Sequence, residues 1–451
     1  MNTQSTLKRL GLFDARVPRY TSYPTAPQFN PGVGPETFAK WISAVPSGAQ
    51  ISLYIHVPFC KRLCWFCACR TQGTSSDAPV IAYAEMLRAE IDLLRRHLAP
   101  GVTLSRLHWG GGTPTLLMPD LIRALADQVF DVVPMAPGGE FSVEIDPNEI
   151  DASRLDALVA AGMNRASIGV QDFDPEIQKT IGREQSFELT KQVADMIRDR
   201  GVASLNADIL YGLPDQTNAR IADSVQKLLA LSPDRVALYG YAHVPWMSRR
   251  QQMIPSDKIP LAEARLGLFE TARNLFVADG YAEIGIDHFA RPTDGLAIAA
   301  AKGDLRRNFQ GYTDDTATAL IGLGASSISR FPQGFAQNAS ATAAHTKQIR
   351  EGKFSTHRGH VFAGDDLLRA RIIEALMCDF RVNREELQRD FNADPAVVQA
   401  MFQAAMDTFG DMVHLDHTGL AIAKRGRPLT RLIARAFDAY DQSAAQHSTA
   451  I

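Results

Sequence analysis

Cys60, Cys64, Cys67 and Cys69 place four of the chain's five cysteines in one short run, spaced Cys-x3-Cys-x2-Cys-x-Cys. A strand-like apolar stretch, Ile51–Phe59, leads directly into it. Thiolates packed along one loop can converge on a soft metal centre. Three of them would leave one iron of a 4Fe–4S cluster without a protein ligand. At such an open iron a cluster can act on a bound molecule instead of only relaying electrons. Structural zinc usually takes two Cys/His pairs set further apart, and no second pair follows here. A ferredoxin run has a shorter first gap. A disulfide framework needs an oxidising compartment and usually a small domain. Buried apolar cysteines would not gather in a loop flanked by Lys61, Arg62 and Arg70. Cys378 lies in an apolar helical run, Ile372–Cys378, and reads as a core residue.

The elements that must position this loop follow from periodicity. Strand-like runs recur at Ile51–Phe59, Arg106–Trp109, Glu140–Ile145, Arg165–Val170, Ser204–Leu210 and Arg235–Tyr241. Between the first two, Leu87, Ile91, Leu94 and Leu98 share one helical face. Helical patterns also fill Leu117–Val133, Ala152–Ala161, Leu189–Arg200 and Ala219–Leu231. Six strand–helix units predict an α/β fold with a parallel sheet, here a partial, open-sided (β/α)6 TIM-like barrel. Each unit carries polar groups at its C-terminal end: the cysteine loop, Gly110–Thr113, Glu144, Gln171-Asp172, Asp208 and Tyr241–His243. Glu144 or Asp208 alone could be a helix cap or a solvated loop charge. Recurrence at every unit fits a shared site, since ligands bind at the C-terminal rim of such barrels. Gly110-Gly111-Gly112-Thr113-Pro114 lacks the Lys-Ser/Thr of a Walker A loop. Its glycines would let a ligand approach the backbone closely.

Four segments are expected. Residues 1–46 read as an arm without periodicity, carrying Pro18–Thr25; 47–290 as the barrel; 291–360 as a connection closing the site; 361–451 as a mostly helical, winged-helix-like domain. Before the connection come a helix at about Leu261–Ala278 and a strand-like run, Tyr281–Phe289. The last segment shows helices at Asp365–Phe380, Arg384–Arg389 and Pro395–Phe409, a hairpin at Val413–Ala423 and a final helix at Leu429–Tyr440.

Composition narrows the function classes. The 451 residues are 45% hydrophobic and 22% charged, ordinary for a globular protein. A net charge of −3 gives no electrostatic reason to expect nucleic acid or an anionic membrane. The amino terminus lacks a signal-peptide core, and no run approaches the roughly 18 apolar residues of a membrane span. A cytoplasmic protein is expected, and a reducing compartment suits thiolate ligands.

The Cys-x3-Cys-x2-Cys loop, the Gly-Gly-Gly-Thr-Pro turn and the strand-end carboxylates together resemble the radical S-adenosylmethionine (SAM) enzymes. More narrowly, the chain is similar to the oxygen-independent coproporphyrinogen III oxidases. The matching stretches run from Pro18–Thr25 through Tyr54–Cys69, His108–Thr115, Glu144–Pro147, Gly169–Phe173, Arg183–Gln185, Asp208–Pro214, Asp287–Pro292 and Asn308–Thr313 to Gly324–Ser329. The resemblance implies that Cys60, Cys64 and Cys67 hold one 4Fe–4S cluster, with Cys69 a motif member but no ligand. It implies SAM at the open iron on Tyr54, Gly111, Glu144 and Ile328. A second SAM would contact Phe66, Gly112, Thr113, Gln171, Arg183, Asp208 and Ala242. Phe309 and Gln310 would lie near the site. The implied reaction is oxidative decarboxylation of two propionates of coproporphyrinogen III to vinyl groups, giving protoporphyrinogen IX, by a SAM-derived deoxyadenosyl radical. A flavodoxin- or ferredoxin-type donor would supply electrons to a monomer. Arg19, Arg249, Arg250, Arg306 and Arg307 are candidate partners for substrate carboxylates, and each could equally be a solvated charge. A related branch acts as a haem chaperone, but its members typically lack the cysteine at Cys69 and the arm. Another radical SAM activity on a tetrapyrrole is a further alternative. The match is weakest at Pro245–Arg250.

Overall fold

Six strand–helix units form in succession because apolar runs bury on both faces while the segments between them bury only one. The computed structural model describes residues 3–441 and 448–451. Residues 1–2 and 442–447, at the outer ends of the expected arm and C-terminal domain, lie outside the described residues. The strands are Gln50–Val57 (β1), Thr103–Gly111 (β2), Met135–Ile145 (β3), Arg165–Gln171 (β4), Ser204–Tyr211 (β5) and Arg235–Gly240 (β6). All neighbours in this series pair in parallel. The returning helices are Ala78–His97 (α1), Pro119–Val132 (α2), Ala152–Ala160 (α3), Phe187–Asp199 (α4), Asn218–Ala230 (α5) and Ala262–Ala278 (α6). Asp151, Ser186 and Thr217 cap three of them by accepting backbone N–H groups two or three residues into the helix. Ile51, Leu53 and Ile55 of β1 join Trp109, Phe141 and Leu87 in one barrel core.

The sheet continues beyond the six predicted strands on both edges. Ala282–Ile284 (β7) and His288–Ala290 (β8) form an antiparallel hairpin on β6, where the sequence pattern predicted one strand-like run. On the other side Ala319–Leu323 (β9) adds a further parallel strand to β1. Ile328–Phe331 (β10), Gly334–Asn338 (β11) and Thr356–Val361 (β12) extend it antiparallel. The 12-stranded order is β12-β11-β10-β9-β1-β2-β3-β4-β5-β6-β8-β7.

Ion pairs close the barrel floor near the N-terminal ends of the strands. Arg106 pairs with Glu140 at 2.8 Å and with Asp314, Arg165 with Glu140 at 2.6 Å, and Arg235 with Asp294 at 2.6 Å. Burial opposes ionisation of Glu140, but Arg165 and Arg106 outweigh it and hold its carboxyl at about 2.

The C-terminal module contains Asp366–Asp379 (α7), Arg384–Phe391 (α8), Pro395–Phe409 (α9) and a three-stranded antiparallel sheet of Arg381–Asn383, Val413–Leu415 and Gly419–Ile422. Asp394 caps α9 with Pro395 directly behind it, the expected start. The final helix spans only Thr430–Arg435. Beyond it, Tyr20 Oη donates to Asp438 at 2.9 Å and Tyr440 Oη to Asp366 at 2.8 Å, side-chain bonds that draw this segment out of the helix.

The arm holds more regular structure than its sequence pattern predicted. Pro35–Ser43 is a helix that buries Phe38, Trp41 and Ile42 in the barrel core. Leu7, Leu12, Phe13, Val17, Tyr20 and Tyr23 join the core of the C-terminal module. Among the described residues no helix is long and apolar enough to cross a membrane.

Candidate active site

The cysteine loop leaves the C-terminal end of β1. Cys60 ends a two-residue strand, Phe59–Cys60, paired with Gln72–Gly73. Cys64 is buried, and Arg183 Nη1 donates to its sulfur at 3.5 Å. The Cys69 N–H donates to Cys67 Sγ at 3.4 Å. Burial pushes the Cys60 thiol up to about 11, whereas hydrogen bonding from Cys69 draws Cys67 down to about 6. Burial also raises the Cys64 thiol, against the charge of Arg183.

A distant segment clamps this loop by its carbonyls. Ser248 Oγ donates to Cys67 O at 3.0 Å, and Arg250 to Cys69 O at 3.2 Å. The buried Gln251 donates to Phe66 O at 2.6 Å and to Ala242 O at 3.0 Å. Ser248 and Gln251 lie where sequence reasoning found no site; their polar type beside Arg250 was the only signal.

The glycine turn ends β2. Gly111 has φ +114, and a Cβ there would meet the His56 ring at 2.6 Å. A Cβ on Gly112 would strike Phe59 O at 2.5 Å, so the turn packs against the start of the cysteine loop. Gly111 N donates to Glu144 Oε2 at 3.0 Å, and His108 Nε2 lies 3.2 Å from Oε1. Burial opposes the charge on Glu144, but His108 and Gly111 outweigh it and hold the carboxyl below its usual range. Tyr54 stacks on His108 at 5.6 Å between ring centroids and shares a 3.0 Å hydrogen bond with His56 Nδ1. His56 and His108 are further site residues that the sequence did not single out.

On the opposite wall, Gln171 ends β4 at φ +70, a left-handed conformation costly for a residue with a Cβ. The next residue holds it there. Asp172 is buried and accepts from Asp174 N, Ser224 Oγ and Gln216 Nε2, each at 2.7 Å. Arg183 donates to Asp146 at 3.1 Å and to Gly169 O at 2.9 Å. Asp208 accepts from Asn206 at 2.9 Å; burial, reinforced by the charge of Glu144, raises its carboxyl to about 6.

These groups meet in one cavity of about 400 Å³ that runs from the barrel mouth down to the floor, where Arg106, Glu140, Arg165 and Arg235 also line it. Cys60, Cys64, Cys67, Phe66, Gly111, Gly112, Thr113, Glu144, Gln171, Arg183 and Asp208 all line it. Tyr54, Ala242 and Ile328 do not: Tyr54 sits behind His108, Ala242 behind Gln251, and Ile328 begins β10. Gln310 and Cys69 line the cavity, while Phe309 packs edge-on against Phe335 at 5.7 Å.

The donor set fits an iron–sulfur cluster. Three thiols face one cavity, and Arg183 and the Cys69 N–H stabilise negative sulfur. Among the described residues no three His, Cys, Asp or Glu side chains converge as around a single bound metal ion. A cubane holds its thiolates further apart than one ion does, so a shared cavity suits it better than a tight cage.

Residues 54–228 match the model of the radical SAM superfamily. Over 451 residues, covering all of both chains, the sequence is 68% identical to the oxygen-independent coproporphyrinogen III oxidase of Paracoccus denitrificans (strain Pd 1222). It is 37% identical to that of Escherichia coli (strain K12), over 94% of this chain and 93% of that one. The solved structure of coproporphyrinogen III oxidase (HemN) from Escherichia coli, described as a radical SAM enzyme, superposes with a TM-score of 0.90 at 35% identity, covering 95% of this chain and all of the other. A radical SAM match implies a 4Fe–4S cluster and SAM. With a thiol-lined cavity at the mouth of a partial barrel and full-length likeness to these enzymes, the chain belongs to the oxygen-independent coproporphyrinogen III oxidase family of radical SAM proteins.

Proposed function

We propose that the protein converts two propionate side chains of coproporphyrinogen III to vinyl groups, giving protoporphyrinogen IX for haem biosynthesis. One observation carries this reading: Cys60, Cys64 and Cys67 share a cavity with Glu144, Arg183 and Asp208 in a chain 68% identical, end to end, to a named oxidase. Cys60, Cys64 and Cys67 hold the cluster. Tyr54, Gly111, Glu144 and Ile328 serve the SAM at the open iron, with Tyr54 and Ile328 acting from behind the cavity wall. Phe66, Gly112, Thr113, Gln171, Arg183, Asp208 and Ala242 serve a second SAM. When bound, cluster and SAM supply a deoxyadenosyl radical able to take hydrogen from an unactivated propionate C–H.

The chain's own residues bind, orient and shield. The side-chain-free edge at Gly111 and Gly112 admits a ligand to backbone contact. Ionised Glu144 accepts hydrogen bonds from amino or hydroxyl groups. Arg183 offers a fixed positive charge beside Cys64, suited to a carboxylate. The enclosing walls keep water from a reactive intermediate. Each turnover removes carbon dioxide, one hydrogen atom and one electron from a propionate, so an electron acceptor is required as well as the flavodoxin- or ferredoxin-type donor. The same reading makes the protein a cytoplasmic monomer with no nucleic-acid or membrane partner. It divides the chain into arm, barrel, connection and C-terminal domain at about residues 46, 290 and 360.

The test is an anaerobic assay of reconstituted protein with SAM, a strong reductant, a cell-extract electron acceptor and coproporphyrinogen III, read by mass spectrometry. The expected product has lost two carbon dioxides and four hydrogen atoms and accompanies deoxyadenosine. Deoxyadenosine with unchanged tetrapyrrole would overturn the substrate. Neither product, with tight haem binding, would point to a haem chaperone.

A further inference from the structure

Arg19, Arg265, Arg307 and Arg431 meet in a second cavity, of about 310 Å³, between the barrel and the C-terminal module. It shares a wall with the cysteine-lined cavity. Asp287 and Arg307 line the second cavity, while their neighbours His288 and Asn308 line the first. At the end of β6, Tyr239 lines the first and Gly240 and Tyr241 the second.

The charges here do not balance. Seven cationic side chains line the cavity, Lys424 and six arginines, against three acidic ones, Glu270, Glu283 and Asp287. Glu283 is taken by Arg273 and by Arg427 at 3.3 Å; Asp287 is taken by His288 at 2.7 Å. Arg307, 5% exposed at its side chain, stands 3.9 Å from Asp287 and leaves Nε and Nη1 without a hydrogen-bond partner.

Among the described residues, three guanidinium groups donate only to carbonyl oxygens. Arg19 reaches Gly240 O at 2.7 Å, and Arg265 reaches Tyr241 O at 2.7 Å. Arg431 reaches Pro18 O at 3.1 Å, Thr449 O at 3.0 Å, Ala450 O at 3.1 Å and Val17 O. Among the described residues none of the three forms an ion pair, and Ile451, in the same wall, forms none with them. Arg265 Nε is also buried without a partner. Burial and the nearby charge of Arg19 drop Arg431 to about 9, a sign of crowded positive charge. Buried charge without a counter-ion is costly, and the planar guanidinium fork matches a carboxylate. Leu266, Phe269 and Phe380 supply apolar surface beside it.

We propose that this cavity is a carboxylate subsite for the propionates that the reaction leaves intact, those carried from coproporphyrinogen III into protoporphyrinogen IX. The proposal rests on the function proposed above. Only the end of β6 and two dipeptides separate the cavities. One ligand with carboxylates around its rim can therefore present a reacting arm to the first and an inert arm to the second.

The experiment is equilibrium binding of coproporphyrin III and of protoporphyrin IX, the stable oxidised forms, to cluster-loaded protein. The variants are Arg265→Gln and Arg431→Gln, which keep a donor for the carbonyls but lose the charge, and Arg19→Gln, at an exposed residue, which guards against misfolding of the other two. Variants are compared at wild-type iron content. Affinity for both porphyrins should fall roughly tenfold or more, in the same ratio, because both keep the inert propionates. Arg265→Lys should recover part of the loss. Unchanged affinity for both porphyrins in folded variants would overturn the subsite. So would a loss confined to coproporphyrin III, which would assign the cavity to the reacting arms. Citrate bound by the wild type and lost in the variants, with porphyrin binding intact, would assign it to a free small carboxylate and also overturn it. If the wild type makes no protoporphyrinogen yet the variants lose porphyrin binding, the proposed reaction falls and the subsite stands.

Discussion

The floor and the mouth of the barrel are both polar, but they treat charge in opposite ways. On the floor each charge meets its opposite: Arg106 and Arg165 share Glu140, and Arg235 takes Asp294. At the mouth, Glu144 is held by a histidine and a backbone N–H and Asp208 by an asparagine amide, and Arg183, though paired with Asp146, also donates to a cysteine sulfur. The floor spends its charges on one another and serves the fold. The mouth keeps hydrogen-bonding capacity in reserve for something that is not protein. Polar burial alone therefore does not mark a site; unspent polar capacity facing a cavity does.

The sharpest way to break the comparison is at the thiols. Cys64→Ser should abolish cluster binding and SAM cleavage while the unfolding midpoint of the cluster-free protein stays close to wild type; retained iron and deoxyadenosine would end the ligand assignment. The reverse pattern is expected on the floor. Glu140→Ala leaves Arg165 without a close carboxylate, while Arg106 keeps Asp314, and should cost about 3–5 kcal/mol in urea unfolding. SAM affinity of the surviving folded fraction should hold, and a stability loss near zero would show that the floor is no keystone.

Smaller effects sharpen the contrast. Gln251→Ala removes the clamp on Phe66 O without touching a thiol, so chelator should strip iron roughly tenfold faster than from wild type. Equal stripping rates would deny the clamp any part in holding the loop. The smallest effect is in pH dependence. Asp208 sits at about 6 against an ordinary 3.8, so the folded chain keeps a proton that the unfolded chain has lost between those values. Stability therefore falls as pH rises through that window. Asp208→Asn should match wild type in thermal midpoint below about pH 4 and exceed it above about pH 6. Parallel curves at every pH would remove the burial account.

Much of this was legible in the sequence, and the limits are physical. The cysteine spacing, the glycine turn and the strand-end residues are local signals, and the βα rhythm sets where each strand ends. What escaped depends on partners far along the chain. Ala319–Leu323 is too short and small-residued to announce that it pairs with β1. Tyr281–Phe289 has the composition of one strand, and only its docking on β6 folds it into a hairpin. Phe38, Trp41 and Ile42 do follow helical spacing, but in nine residues, too short a run to stand out beside the prolines around it. Ser248 and Gln251 carry no motif; their role exists only because the cysteine loop is folded beneath them.

That clamp also sets a timetable. Ser248 lies 181 residues beyond Cys67, the residue whose carbonyl it holds. A ribosome adding about 5–20 residues per second needs roughly 10–40 s to cover that stretch. Throughout that interval the thiols have emerged, but the segment that fastens their loop has not been made. The nascent chain thus offers open cysteines to any oxidant or stray metal before it can secure a cluster. Delivery of iron and sulfide is best timed to the end of synthesis, and chains truncated before residue 248 should be prone to thiol damage.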